Sequence, residues 1–301
     1  MIAALRTPDE RFRGLPGYAF APHYLPDDAN GLRMHYLDEG ESADAGPTFL
    51  CLHGQPSWSY LYRRMIPIFA QVGRVVAPDL YGFGRSDKPI DEDAYSFDFH
   101  RASLLRLIDT LDLSRITLVC QDWGGLLGLT LPMERPDRFD RLIVMNTALA
   151  TGDRPLGPGF EAWRALNRSQ PDLDVAALMH KASPILGPAE AAAYAAPFPD
   201  ISYKAGIRRF PDLVPATPDA PGAATSRAAR AWWREQWRGM SFMAIGCQDK
   251  VLTPASMDVL RADIAGCPEP MVLKDAGHFV QEWGEIVAEQ ALLRFAHSGL
   301  P

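Results

Sequence analysis

The segment with the clearest chemical meaning is 116–125, ITLVCQDWGG, in which an apolar, β-branched run leads directly into Asp122 and two glycines. A strand that turns sharply into a helix lifts the residue at the turn above the edge of a sheet and directs free N–H groups toward it. An aspartate carboxylate is ionised at neutral pH and needs no base to attack an electrophile. Asp122 is therefore a candidate nucleophile, although a lone aspartate at such a turn is more often a helix cap.

Two further residues follow predicted strands later in the chain. The strand predicted over 241–246 precedes Asp249, and the strand predicted over 270–274 precedes His278. The order nucleophile, acid, histidine is that of the α/β hydrolases, whose catalytic side chains converge at the carboxyl edge of one sheet. Taken singly, Asp249 could cap a helix and His278 could be structural. Together with Asp122 they predict a catalytic triad.

Backbone donors for a developing oxyanion are expected in the turn His53-Gly54-Gln55-Pro56, after the predicted strand 48–52. The backbone of this turn can supply one N–H, and the residue after the nucleophile, Trp123, can supply the other. Pro56 is expected to fix the turn, and its tertiary amide permits a cis peptide. The glycine-rich segment 79–86 lacks the spacing of a dinucleotide-binding fingerprint, so we assign it a structural role.

Alternation of short β-branched runs with longer helical patterns predicts βαβ units, and therefore a mostly parallel sheet with helices on both faces. The predicted strands cover 33–38, 48–52, 74–78, 115–120, 141–146, 241–246 and 270–274. The predicted helices cover 59–71, 98–112, 124–134, 254–264 and 279–297. This pattern predicts an α/β fold, and the order nucleophile, acid, histidine indicates the α/β-hydrolase form of it.

The alternation stops between residues 150 and 225, where eleven prolines separate helical pieces and no convincing strand is present. A segment of this length is too long for a crossover loop. We therefore predict an inserted helical cap over 150–225, with 211–226 as a loop-rich return. The core α/β-hydrolase domain is predicted to comprise 1–149 and 226–301.

Composition excludes several classes of function. The 301 residues carry a net charge of −7 without long runs of either sign, so neither nucleic acid nor an anionic membrane is an expected partner. No apolar run reaches the roughly 18 residues of a membrane span. No motif for a metal, phosphate or other cofactor is present, and we expect a monomer. The cysteines lie far apart, which predicts free thiols in a reducing compartment and hence a cytoplasmic protein: Cys51, Cys120, Cys247 and Cys267.

From about residue 30 to residue 297 the chain resembles the haloalkane dehalogenases of the α/β-hydrolase superfamily, in particular the branch whose halide site consists of two tryptophans. The resemblance includes the predicted cap, which in this family determines the substrate class. The segments that carry it are 53–62 (HGQPSWSYLY), 121–125 (QDWGG), 160–163 (FEAW), 195–200 (AAPFPD), 243–249 (MAIGCQD) and 276–282 (AGHFVQE).

The resemblance implies a reaction in two steps. Asp122 would displace halide from an sp³ carbon and form an alkyl ester on the enzyme. His278 would then activate a water molecule that hydrolyses the ester to a primary alcohol, with Asp249 orienting the imidazole. The oxyanion of the second step would be held by the backbone N–H groups of Gln55 and Trp123.

The resemblance also implies a halide site and a pocket for a small apolar halogenated substrate. The indole N–H groups of Trp123 and Trp163 would bind the departing halide, because an indole N–H is a donor only. Phe160 would form part of the pocket wall. An arbitrary tryptophan in an apolar cap helix would more often be a core residue, and the position of Trp163 in FEAW favours the halide role.

Two positions depart from related patterns. A second branch of the family has Asn at position 55 and a Glu triad acid after the strand predicted over 141–146. This chain has Gln55 and Asn146 at those positions, so Asp249 is the candidate acid. The two-tryptophan branch often has Glu at position 55; Gln55 retains the backbone donor but removes a charge beside the water site, which could change the rate of hydrolysis.

Other functions use part of the same pattern. An epoxide hydrolase would use the same triad with two cap tyrosines, for which Tyr194 and Tyr203 are available, and it also carries a Trp after its Asp. A fluoroacetate dehalogenase needs cationic side chains after the nucleophile, and residues 123–127 (WGGLL) offer none. A non-catalytic small-molecule receptor is disfavoured because all three catalytic positions are filled.

Overall fold

The computed structural model describes residues 1–41 and 46–297. Its strands are β1 (Ala4–Leu5), β2 (His23–Tyr24), β3 (His35–Glu39), β4 (Thr48–Leu52), β5 (Arg74–Pro78), β6 (Lys88–Pro89), β7 (Ile116–Cys120), β8 (Phe139–Met145), β9 (Met240–Gly246) and β10 (Met271–Leu273). Its α-helices are α1 (Ile66–Phe69), α2 (Phe97–Thr110), α3 (Asp122–Gly128), α4 (Pro158–Ser169), α5 (Val175–Ala182), α6 (Pro188–Ala195), α7 (Ala205–Leu213), α8 (Ala223–Glu235), α9 (Pro254–Asp263) and α10 (Gly284–His297).

Eight strands form one sheet in the order β10-β9-β8-β7-β4-β5-β3-β2. The strands from β10 to β5 are parallel, and β3 and β2 pair antiparallel at one end. Every residue of β4 and β7 is buried, which explains their continuous apolar sequences, because a central parallel strand is covered on both faces. All seven predicted strands are present, so the predicted α/β-hydrolase fold is confirmed.

The helices agree less closely with the sequence prediction. The helix predicted over 59–71 is a 3₁₀ turn at Ser59–Tyr62 followed by the four-residue α1. The helix predicted over 124–134 begins earlier, at Asp122, and ends at Gly128. The other three predicted helices overlap α2, α9 and α10. None of the helices in the described ranges has both the length and the hydropathy that a membrane span requires.

The connection between β8 and β9 consists of helices and loops and contains no strand over residues 146–239, as predicted. The loop-rich return predicted over 211–226 is partly wrong, because α7 continues through Pro211 and α8 begins at Ala223. Helix α8 contacts the end of α3, where the Trp233 indole donates to the Leu129 carbonyl at 2.7 Å. The division into core and cap at residues 150 and 225 stays a prediction, and α8 runs across its second boundary.

Candidate active site

Asp122 lies at the carboxyl edge of the sheet, separated from β7 only by Gln121. Its φ of +49° is in the left-handed region, which a non-glycine residue adopts only where its surroundings hold it. Here the Asp122 N–H donates to the Asn146 carbonyl at 3.0 Å, and its carbonyl accepts from the Thr147 hydroxyl at 2.7 Å. The glycine after Trp123 is required by packing, since a Cβ at Gly124 would lie 1.9 Å from the Leu52 carbonyl oxygen.

The carboxylate of Asp122 is held between two groups. Its Oδ1 accepts the backbone N–H of Gln55 at 2.8 Å, and its Oδ2 lies 3.5 Å from Nε2 of His278. Gly54 makes this approach possible, because a Cβ there would lie 2.1 Å from Oδ1. The Gln55–Pro56 peptide is cis. The turn after β4 therefore presents an N–H directly to the predicted nucleophile.

His278 joins the two carboxylates. Its Nδ1 lies 2.7 Å from Oδ2 of Asp249, whose Oδ1 accepts the N–H groups of Val251 and Leu252 at 2.8 and 3.1 Å. Burial opposes the charge on His278, but Asp249 and Asp122 outweigh it and raise the pKa of the imidazole to about 10. Burial also opposes ionisation of Asp249, but the His278 imidazolium and the backbone N–H groups lower the pKa of that carboxyl to about 2. Asp249 and Asp122 therefore both favour the protonated form of the His278 imidazole.

Asn146, directly after β8, contacts two of the candidate triad residues, and the sequence did not predict this role. Its Nδ2 donates to Oδ2 of Asp249 at 3.0 Å, and its Oδ1 accepts the Gly246 N–H at 2.9 Å. Its backbone carbonyl accepts the N–H of Asp122. The available signal was a polar residue at the end of a buried strand, at the sheet edge where the triad was already expected. Gln55, Asp122, Asn146, Asp249 and His278 thus follow five strands that are neighbours in the sheet.

The carboxylate opens onto a cavity of about 360 Å³, within the range of small-molecule sites. Trp123, Trp163 and Phe160 all line it, together with Asp122 and His278. Among the described residues neither of these two indole N–H groups has a hydrogen-bond acceptor. Much of the remaining wall is apolar and includes Leu126, Leu178, Val251 and Phe279. The structure thus brings the predicted nucleophile, base, tryptophans and pocket residue to one cavity, while Asp249 lies behind His278.

The side chain of Gln55 contacts helix α7. Its Nε2 donates to the Ile207 carbonyl at 3.0 Å, and Nδ2 of Asn167 donates to the same oxygen at 3.1 Å. In an α-helix this carbonyl would accept the N–H of residue 211, but that residue is Pro211 and has no N–H. Two side-chain amides therefore replace the missing helical hydrogen bond, and one of them belongs to the turn that holds Asp122.

The tyrosines considered for epoxide opening do not line this cavity. Tyr194 is buried, and its hydroxyl donates to the Glu282 carboxylate. Glu282 also forms a two-pronged ion pair with Arg63, at 2.8 and 2.7 Å. Tyr203 is absent from the cavity wall as well. The arrangement that an epoxide hydrolase requires is therefore not formed by these two residues.

The parallel sheet, the strand-to-helix turn at Asp122 and the order of the site residues define an α/β hydrolase. The family model for the alpha/beta hydrolase fold matches residues 47–285. The haloalkane dehalogenase of Psychrobacter cryohalolentis is 46% identical, with 97% of this chain and 98% of the relative covered. That of Mycolicibacterium paratuberculosis is 42% identical over 96% of this chain and 97% of the relative. The chain belongs to the haloalkane dehalogenases, and it is a hydrolase that acts on carbon–halide bonds.

A solved structure supports the same family and bears on the oligomeric state. Haloalkane dehalogenase DpaA from Paraglaciecola agarilytica is 52% identical, has a TM-score of 0.94, and is matched over 97% of this chain and 98% of its own. That structure is described as tetrameric. The expectation of a monomer does not fit this relative.

Proposed function

We propose that this haloalkane dehalogenase forms a covalent ester at Asp122. A carboxylate oxygen attacks the sp³ carbon of a small haloalkane, the new C–O bond forms as the carbon–halogen bond breaks, and the halide leaves with the electron pair. The observation that carries this proposal is the placement of the Asp122 side chain between the Gln55 N–H and His278, at the wall of a largely apolar cavity. An Asp in this position attacks without help from a base, so His278 is not needed in the first step.

His278 acts in the second step, for which it must be neutral. In the resting site Asp122 and Asp249 both raise the pKa of the imidazole. Esterification removes the charge of Asp122, so the pKa of His278 falls and the ring can release its proton. It then takes a proton from water as the water oxygen attacks the ester carbonyl. The N–H groups of Gln55 and Trp123 stabilise the oxyanion, which collapses and releases the alcohol with a proton from His278.

Two variants separate these steps. Asp122→Asn removes the attacking oxygen and should release no halide from bromobutane. His278→Gln leaves the first step intact and should release one equivalent of bromide per site and then stop. Halide release is measured with a rapid-quench instrument. Unchanged turnover by Asp122→Asn would reject the proposal.

We propose Trp123 and Trp163 as the halide site. Both indoles line the cavity that contains Asp122, and both N–H groups lack an acceptor among the described residues. Bromide should therefore quench tryptophan fluorescence, and Trp163→Phe should weaken the apparent affinity for bromide. Epoxide opening releases no anion, so an enzyme built for it would need no such pair. Equal quenching in wild type and Trp163→Phe would argue against the role of Trp163.

The remaining proposals concern the helical cap, the oligomeric state and the cellular location. The helices over 150–225 act as a cap, with Phe160 and Trp163 of α4 facing the reacting carbon. We propose that the chain forms tetramers, as its 52% identical relative does, and sedimentation velocity should show a species of four chains. A single species of one chain's mass at micromolar concentration would contradict this. The free cysteines support a cytoplasmic location.

A further inference from the structure

The wall of the cavity combines apolar and charged residues. Most of the wall is apolar, and it also includes three charged residues besides Asp122 and His278, namely Arg154, Arg230 and Asp263. Nine of the ten residues over 148–157 line the cavity, so the segment that leaves β8 follows the wall outward. Arg154 near the end of this segment is exposed. We call the exposed part of the wall at Arg154 the mouth.

Two of these three charged residues have a partner of opposite charge. Arg230 donates to Oδ2 of Asp153 at 2.7 Å, and Asp263 accepts from Nε of Arg234 at 2.9 Å. Within the described ranges, Arg154 has neither an ion pair nor a hydrogen-bond partner for its guanidinium group. One positive charge at the mouth is therefore uncompensated, in a chain whose net charge is −7.

We propose that Arg154 binds an anionic group at the far end of the substrate, so that ω-haloalkanoates are preferred over neutral haloalkyl compounds of the same length. This inference rests on the proposed function. The alkyl chain would occupy the apolar part of the cavity with its carbon–halogen bond at Asp122. The carboxylate would stay hydrated at the mouth and contact the guanidinium group of Arg154. The planar N–H donors of a guanidinium group match the two oxygens of a carboxylate. The same two steps would release halide and an ω-hydroxyalkanoate.

The test compares ω-bromobutanoate, ω-bromohexanoate and ω-bromooctanoate, each with its methyl ester, by the kcat/KM for bromide release. At low salt the wild type should prefer the acid at the chain length that spans the cavity. Arg154→Gln should lower kcat/KM for that acid by about three- to fivefold, the range of a solvent-exposed ion pair, and leave the ester unchanged. About 0.5 M NaCl should remove the preference in the wild type.

A second variant should act in the opposite direction. Asp153→Asn releases Arg230 from its ion pair and adds a second free guanidinium at the mouth, so the preference for the acid should increase. A general loss of folding cannot produce opposite shifts in the two variants. Arg164→Gln is the matched control, because Arg164 pairs with Glu161 on α4 and does not line the cavity. In Arg164→Gln, the ratio of kcat/KM for the acid to kcat/KM for its ester should equal that of the wild type.

The outcomes separate the inference from the proposed function. Turnover of the esters without preference for the acids, or an unchanged acid-to-ester ratio in Arg154→Gln, would overturn the inference and leave the proposed function standing. Failure to release bromide from acids, esters and bromobutane alike would overturn the proposed function itself.

Discussion

Replacing Gly54 by Ala should abolish most activity while leaving the fold in place. A Cβ at this position would lie 2.1 Å from Oδ1 of Asp122, whereas ordinary contact begins at 3.4 Å, so the carboxylate must move by about 1.3 Å. We expect a displacement of this size to break the hydrogen bond from the Gln55 N–H to Oδ1, which is 2.8 Å long. A misplacement of about 1 Å in a reacting group can cost about a hundredfold in rate. We therefore expect kcat/KM for bromobutane to fall at least about hundredfold.

The assay pairs steady-state bromide release with thermal unfolding, so that lost activity can be separated from lost folding. Gly187→Ala is the control, because a Cβ at Gly187 meets only the Glu190 carboxylate, at an ordinary 3.7 Å. It should retain near wild-type activity.

A double-mutant cycle tests whether the clash is with Asp122 itself. In an Asp122→Gly background the added methyl group has room, so Gly54→Ala should cost less stability there than in the wild type. If Gly54→Ala lowers stability equally in the two backgrounds, the added methyl group clashes with a residue other than Asp122. A folded Gly54→Ala protein with more than about a tenth of wild-type kcat/KM would refute the geometric reasoning.

Three further predictions follow from contacts around the triad. Asn146→Ala removes a donor from the charged Asp249 and should slow the hydrolytic step by about ten- to a hundredfold, seen in pre-steady-state kinetics as a halide burst of full size followed by slower turnover. Because the pKa of His278 is raised, its contribution to stability is complete below pH 6.5 and is lost as pH rises through about 10. Because the pKa of Asp249 is lowered, its contribution is complete above pH 3.8 and is lost as pH falls toward about 2. Urea unfolding across pH should show the loss of stability at high pH in the wild type and not in His278→Gln. Gln55→Glu cannot donate to the Ile207 carbonyl and should lower the free energy of unfolding by about 1–3 kcal/mol in denaturant titrations, whereas no change would show that this contact contributes little.

The fold, and the meeting of the three candidate triad residues at one sheet edge, could be predicted because their signals are local in the sequence. Buried parallel strands have continuous apolar runs, and the turns after β7, β9 and β10 place Asp122, Asp249 and His278 at one edge of the sheet. The eighth strand, β2, was missed because two paired residues at the sheet edge leave no periodic pattern.

Features that depend on distant partners could not be predicted. Pro211 indicated a helix break, yet α7 continues through it because Gln55 and Asn167 donate to the Ile207 carbonyl, which lacks its usual helical donor. Gln55 lies 152 residues from Ile207 in the chain, so no local sequence pattern predicts their contact. The position of Asn146 at the sheet edge could be predicted, but its contact with Asp249 could not, because Asp249 follows a different strand.

The origin of the oxygen atom in the alcohol tests the central claim most directly. Excess enzyme is given a limiting amount of bromobutane in water enriched in the heavy isotope of oxygen, and a single turnover is analysed by mass spectrometry. If Asp122 attacks the carbon, the alcohol carries ordinary oxygen from the carboxylate, and the heavy isotope appears in the peptide that contains Asp122. Heavy oxygen in the alcohol of the first turnover, with an unlabelled peptide, would mean that water attacks the carbon directly and would contradict the covalent mechanism.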